Sequence, residues 1–293
     1  MERREYHSAV ADSARWQGFV PRAGDVFVCT PAKCGTTWMQ SIVASLLWPT
    51  SDPPGPVLAI SPWIELKIVP AAEMHAQLAA QTHRRFMKTH TPADGIPWFD
   101  EARYVFVARD GRDAFMSLCN HIENFRDEVR DSLNARGPRG RAATTGVGRR
   151  PPCLLRALAR GRRPLLPPPR DLLGRAAASE SPDGALQRPQ DGPRRRDAAG
   201  RGLPRRRRPG CESWPEVVAR CTFERMRDGE ARIGAVDMLF KGGLKTFVFK
   251  GTNGRWRDVL TADELAAYER RVAAALPREC ATWMEHGGGA LER

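Results

Sequence analysis

The chain has 293 residues, 41% of them hydrophobic, with 47 Lys and Arg against 34 Asp and Glu and a formal charge of +13. That length accommodates one large α/β domain or two small ones with a full core, and the composition excludes a chain disordered throughout. The longest apolar run, about Ser41–Trp48, falls far short of the roughly 20 residues of a membrane-spanning helix.

In chain order, the first residues have no apolar stretch that reads as a secretory signal. Seven scattered cysteines form no Cys-x-x-Cys pair, so the expectation is a cytoplasmic chain with free thiols. Asp25–Thr30 reads as a buried strand. It leads through Pro31–Gly35 into a helix over Thr36–Leu47, whose Trp38, Met39, Ile42, Val43 and Leu46 recur at helical spacing behind a Thr-rich start that would cap it. Trp48–Pro56 is a Pro-rich loop. A helix over Glu73–His83, a strand over Arg85–Thr89 and a third strand over Tyr104–Ala108 follow. Arg109-Asp-Gly-Arg-Asp113 then opens a helix from about Ala114. Trp214–Arg227 and Ala262–Leu276 read as helices joined by a Gly-rich stretch, Lys241–Trp256. Strands alternating with helices predict an α/β fold, a parallel sheet flanked by helices on both faces.

Residues 137–210 do not resemble the rest. Of these 74 residues, 52 are Arg, Pro, Gly or Ala, and none is Phe, Trp, Tyr, Lys, Ile, Met, His or Asn. The segment carries +14 and the remaining 219 residues carry −1. Three readings are open: a disordered Arg/Pro-rich linker or nucleic-acid tether, a folded subdomain, and a stretch translated out of frame. A subdomain without aromatics has little from which to build a core. A frameshift in GC-rich DNA would yield Arg, Pro, Gly and Ala codons in this way, and resequencing the gene for compensating indels near codons 136 and 211 would test it. The domain expectation is therefore an N-terminal part over 1–136, this low-complexity segment over 137–210, and the C-terminal part of the same domain over 211–293.

The strand–loop–helix around Lys33, Cys34, Gly35, Thr36 and Thr37 suits a phosphate. Gly35 permits close backbone approach, the helix start offers free N–H groups, and Lys33 adds a charge. It is not a Walker A loop, because its Lys precedes the Gly. An ordinary Thr-capped helix after a strand is the alternative.

Four ordered stretches then carry a resemblance. Pro31-Ala-Lys-Cys-Gly-Thr-Thr-Trp38 resembles the P-loop-like 5′-phosphosulfate loop of the cytosolic-type sulfotransferase family, whose donor co-substrate is 3′-phosphoadenylyl sulfate. Phe86-Met-Lys-Thr-His-Thr-Pro92 is similar to the family's Lys-Thr-His-x-Pro segment. Tyr104–Ser117 is similar to its 3′-phosphate segment, with Arg109 and Ser117 eight residues apart. Phe249-Lys-Gly-Thr-Asn-Gly-Arg-Trp-Arg257 resembles the loop that covers the donor, and Cys221–Met226 matches the segment beside the adenine more loosely.

The resemblance implies the sulfotransferase fold and a catalytic set of His90, Lys33 and Lys88. His90 would be the base that takes the acceptor's proton, with a pKa near working pH. Lys33 would neutralise the departing phosphate, and Lys88 would reach the sulfuryl oxygens. Donor binding would fall to Lys33, Cys34, Gly35, Thr36, Thr37, Trp38, Arg109, Ser117, Phe223, Lys250 and Gly251, with Trp38 stacked on the adenine. The resemblance makes Cys34 a stand-in for serine rather than a redox switch, although a helix start beside Lys33 could lower its thiol pKa. His75, His83, Cys119 and His121 show no metal-ligand spacing, and no metal is assigned.

Two departures stand out. Phe249 occupies a place where the family usually has Arg. The family's region corresponding to 137–210 supplies a core strand and acceptor-pocket helices, so this chain is expected to keep an open sheet edge and to be poorly folded or inactive. The function expected is sulfuryl transfer to a small-molecule, lipid or glycolipid hydroxyl, with no specific nucleic-acid partner. The alternatives are an inactive donor-binding relative, a nucleic-acid binder acting through 137–210, and a P-loop kinase with an aberrant loop.

Overall fold

The structure, a computed structural model, describes residues 3–135, 214–229, 232–234 and 236–287. The readings of 137–210 lie outside the described residues. Strand β1 (Val26–Cys29) is the middle of a three-stranded parallel sheet among the described residues, flanked by β2 (Phe86–Thr89) and β3 (Arg103–Phe106). Val26 stands opposite Phe86 and Arg103, and Cys29 opposite Thr89 and Phe106. This register brings the C-terminal ends of β1 and β2 level, so the loops leaving them meet at one end of the sheet.

The period of two places alternate residues on opposite faces. Phe27, Cys29, Met87, Tyr104 and Phe106 pack on one side against Trp16, Phe19, Ile64, Met74, Leu78 and Ile96. Val26, Val28, Phe86 and Val105 pack on the other against Val43 and Ala44 of helix α1 (Thr36–Leu47) and against Val57 and Ile60 of α2 (Val57–Ile60). Both faces are covered, as the near-continuous apolar strands required. Helix α3 (Ala71–Ala80) begins and ends slightly before the expected span and buries Met74 and Leu78.

Beneath the start of β1, Arg85 and Asp25 form a buried pair. Arg85 Nε donates to Asp25 Oδ1 at 2.9 Å and its Nη2 to Asp25 Oδ2 at 2.5 Å, and the latter oxygen also accepts from the Arg22 amide. Removing one partner strands a charge away from water. Asp25→Ala is expected to lower stability by about 3–5 kcal/mol, read from a denaturant midpoint; an unchanged midpoint would refute the pair's structural role.

Helix α4 (Gly111–Glu123) starts about a turn earlier than expected, because Asp110 caps it by accepting from the Arg112 amide at 2.8 Å. Arg112 also pairs with Glu285 at 3.2 Å and lies over the rings of Trp256 and Tyr268. It thereby ties the C-terminal helices α9 (Ala262–Ala275) and α10 (Arg278–His286) to α4. Helix α5 (Asp127–Ala135) follows. The single helix expected over Trp214–Arg227 is two, α6 (Trp214–Arg220) and α7 (Phe223–Arg227). Thr222 interrupts them by capping α7 with its side chain. The Gly-rich stretch carries a short helix, α8 (Gly243–Phe247), started by Gly242 at φ 75°. Phe247 from this stretch and Phe240 just before it pack with Phe125, bringing the two halves of the chain together.

Candidate active site

The loop between β1 and α1 turns through two left-handed residues, Lys33 at φ 68° and Gly35 at φ 91°. Gly35, not a threonine, is the N-cap of α1, and no side chain caps that end. The Thr36 hydroxyl is engaged instead with Thr30 Oγ1 at 2.5 Å. The opening amides of a three-turn helix therefore keep their donors for an anion. Lys33 pays the steric penalty of a left-handed non-glycine residue, which commonly persists where surrounding structure fixes it.

His90 follows directly on β2. Its Nδ1 lies 2.7 Å from the Thr30 carbonyl oxygen, an acceptor only, so Nδ1 carries the proton and Nε2 keeps its lone pair. Trp63 packs edge-on against the ring at 4.8 Å. Burial, then the Lys88 charge, push the His90 pKa down to about 3. This corrects the expectation of a pKa near working pH: an imidazole enclosed beside two lysines stays neutral.

Lys33 and Lys88 face the same spot. Burial chiefly, joined at Lys33 by the charges of Lys88 and Arg109, lowers each to about 8. Lys88 Nζ sits over the Trp63 ring at 5.2 Å. Behind them Glu65 is 1% exposed and accepts from Trp16 Nε1 at 2.7 Å, from Thr91 Oγ1 at 2.9 Å and from Thr89 Oγ1. Burial raises its pKa. Glu65 thus anchors the residues on either side of His90. Cys34 is also corrected: it is 3% exposed, and burial lifts its thiol to about 12 despite the nearby cations.

Arg109 does not stand free. Its Nη2 donates to Asn253 Oδ1 at 2.7 Å and to the Thr252 carbonyl at 3.0 Å, tying the C-terminal loop to the end of β3. The Gly254 amide donates to Asp113 Oδ1 at 2.8 Å and fastens the same loop to α4. Ser117 follows Asp113 by one turn on α4, and His121 comes one turn later, so the three share a face. Gly251, at φ 65°, lies so close to Phe223 that an added Cβ would stand 2.6 Å from its ring. Trp38 is 55% exposed, with Nε1 donating to the Cys221 carbonyl at 2.7 Å. Lys250 and Arg255 both stand over the Phe249 ring, each at 5.3 Å. An aromatic in place of Arg still gathers cations at this loop.

The structure brings Lys33, Lys88, His90, Thr36 and the helix start to one place, and Trp38, Phe223, Gly251, Lys250 and Arg109 to its flank. Sequence reasoning missed Thr30, Trp63, Glu65, Asn253 and His121. His121 was legible in principle, four residues past Ser117 on a helix that already carried a site residue. The others act through backbone oxygens or tertiary contacts that no spacing encodes.

His90 and His121 are both held at about 3, below their ordinary value, so the folded state binds fewer protons than the unfolded chain. Their contribution is whole above about pH 6.5 and is lost as pH falls toward 3. Each histidine costs roughly 1 kcal/mol per pH unit in that window. A denaturant midpoint series from pH 7 to 4 should fall, and His90→Gln should flatten part of the slope; a level series would refute the neutral state of these histidines.

Among the described residues, no group of three or more His, Cys, Asp or Glu is placed to hold a metal, and no helix is long and apolar enough to cross a membrane. Residues 23–136 match the family model of the sulfotransferase domain. Over those residues the chain resembles a sulfotransferase domain, and its parallel sheet with helices on both faces is the fold of the solved neighbours. It is 42% identical over 123 residues to a glycolipid sulfotransferase of Mycobacterium tuberculosis, covering 42% of this chain and 38% of that protein. Human sulfotransferase 1C2 is 30% identical over 108 residues, 34% of this chain and 36% of the relative. The matched part spans less than half the length of either curated relative. Retinol dehydratase, solved with androsterone and the inactive cofactor PAP, superposes with a TM-score of 0.55 at 16% identity, over 92% of this chain and 87% of that one. Mouse sulfotransferase SULT7A1, complexed with PAP, gives 0.54 at 12% identity, over 94% of each chain. These two likenesses concern the fold.

Proposed function

We propose that the chain transfers a sulfuryl group from 3′-phosphoadenylyl sulfate to a hydroxyl of a small molecule, lipid or glycolipid. The convergence of Lys33, Lys88 and neutral His90 on the uncapped start of α1 carries this reading. Such a cluster, with its cations poorly matched by carboxylates, fits an anion. His90 takes the acceptor hydroxyl's proton at Nε2, the nitrogen its bond to Thr30 leaves free. The acceptor oxygen attacks sulfur while the bond from sulfur to the 5′-phosphate oxygen breaks. Lys33 and the α1 amides neutralise the charge left on that phosphate, and Lys88 meets the sulfuryl oxygens. The protein positions and neutralises, without forming a bond of its own.

Arg109 and Ser117 serve the 3′-phosphate, and Arg109 also holds down the loop of Lys250 and Gly251. Trp38 and Phe223 flank the adenine. The loop segments of Cys34, Gly35, Thr36 and Thr37 complete the cradle. Residues 1–136 and 211–293 form one domain in this reading, in a reducing compartment suited to its thiols. The glycolipid acceptor class is favoured by the name of the mycobacterial relative.

Calorimetric titration with 3′-phosphoadenosine 5′-phosphate (PAP) tests the proposal. Binding by the full chain, its loss in Lys33→Ala and Arg109→Ala, and turnover on phenols or glycolipids would support it. Binding without turnover would leave a donor-binding relative, and salt-sensitive nucleic-acid binding alone would overturn the proposal.

A further inference from the structure

His121 is a half-buried titratable group that the transfer chemistry leaves unused. It lies near the end of α4 with its Nδ1 2.9 Å from Lys33 Nζ. Its ring is enclosed by Phe240 at 4.7 Å, Phe125 at 4.9 Å and Phe247 at 6.0 Å. The Lys33 ammonium stands 5.2 Å from the centre of the Phe247 ring. An ammonium has three donors and no lone pair, so at this distance Nδ1 must be the acceptor and the His121 proton must sit on Nε2. A protonated imidazole would leave two cations in contact with no acceptor between them.

We propose that His121 is a positioning residue for Lys33: its Nδ1 lone pair and the Phe247 face hold the lysine charged and aimed along the β1–α1 loop. The proposal rests on the reading that Lys33 neutralises the donor's phosphate. A flexible lysine with four side-chain torsions is otherwise free to leave that position. The aromatic enclosure fixes the imidazole in turn, so the anchor is rigid at both ends. The titratable groups around the pair are Lys88 on β2 and His90 just after it, with Glu65 behind Lys88, and Arg109 and Cys34 beside Lys33.

The experiment uses the full chain and PAP as the calorimetric probe, from pH 6 to 9. Wild-type affinity should decline above about pH 8 as Lys33 loses its proton. His121→Asn keeps an acceptor near Nδ1 and should follow the wild type. His121→Phe fills the aromatic enclosure but accepts nothing. Its decline should begin about one pH unit lower, because an ammonium without its acceptor gives up its proton more readily, and its affinity at pH 8 should drop about fivefold. At pH 6.5, where Lys33 is charged in all three, affinities should agree within about threefold. Superposable profiles for His121→Phe and wild type would overturn the positioning role while leaving the donor site standing. A wild-type chain that binds no PAP would instead overturn the donor-site reading, and this proposal with it. Nitrogen-detected NMR of the unliganded wild type gives a test independent of any variant's folding. An unprotonated Nδ1 and a protonated Nε2 on His121 support the proposal, and the reverse tautomer overturns it.

Discussion

Replacing His90 by alanine is expected to reduce sulfuryl transfer by about 10²–10⁴-fold while leaving PAP affinity nearly unchanged. The imidazole is oriented by the Thr30 carbonyl at 2.7 Å, and the same threonine's hydroxyl holds Thr36 at the start of α1. Base and phosphate cradle therefore share one anchor, but only the base is lost in His90→Ala. Because His90 is neutral in the empty site, kcat/KM should show no acid limb near pH 6.5. An activity loss below tenfold, or an equal loss of PAP affinity, would rule out its role as the base.

Lys33→Ala should lower kcat/KM by about 10²–10³-fold, since it removes a half-buried charge aimed where negative charge develops. Unlike the His90 variant, it should also weaken PAP binding, because the product keeps the phosphate that Lys33 meets. In the wild type, kcat/KM should fall above about pH 8 as Lys33 and Lys88 give up protons. Burial of each ammonium destabilises its charged form, which places this limb below the ordinary lysine range. A limb near 10, or a Lys33→Ala chain that binds PAP as the wild type does, would contradict the assignment.

The charge distribution makes these few cations conspicuous. The +13 of the whole chain is more than accounted for by residues 137–210, so the rest has no general basic surface. Lys33, Lys88 and Arg109 act as local, aimed charges in an otherwise balanced domain.

What the sequence determined by itself follows from local rules. Apolar β-branched runs placed β1 and β2 within a residue of their observed bounds, and the 3.6-residue spacing after Gly35 placed α1. The ordered motifs named the loop, His90, Lys88, Arg109 and Ser117. The helix break at Thr222 and the early start of α4 at Asp110 were missed, because capping by a neighbouring side chain competes with simple periodicity. The protonation states were decided by tertiary structure alone. Whether His90 titrates near 6.5 or near 3, and whether Cys34 is activated or pushed to about 12, depends on the water each burial removes and on which cations arrive from distant segments. His121 beside Lys33 joins residues 88 positions apart, and Asn253 beside Arg109 joins residues 144 apart. No local pattern carries such pairings; they exist only once the sheet brings β1, β2 and α4 to one end.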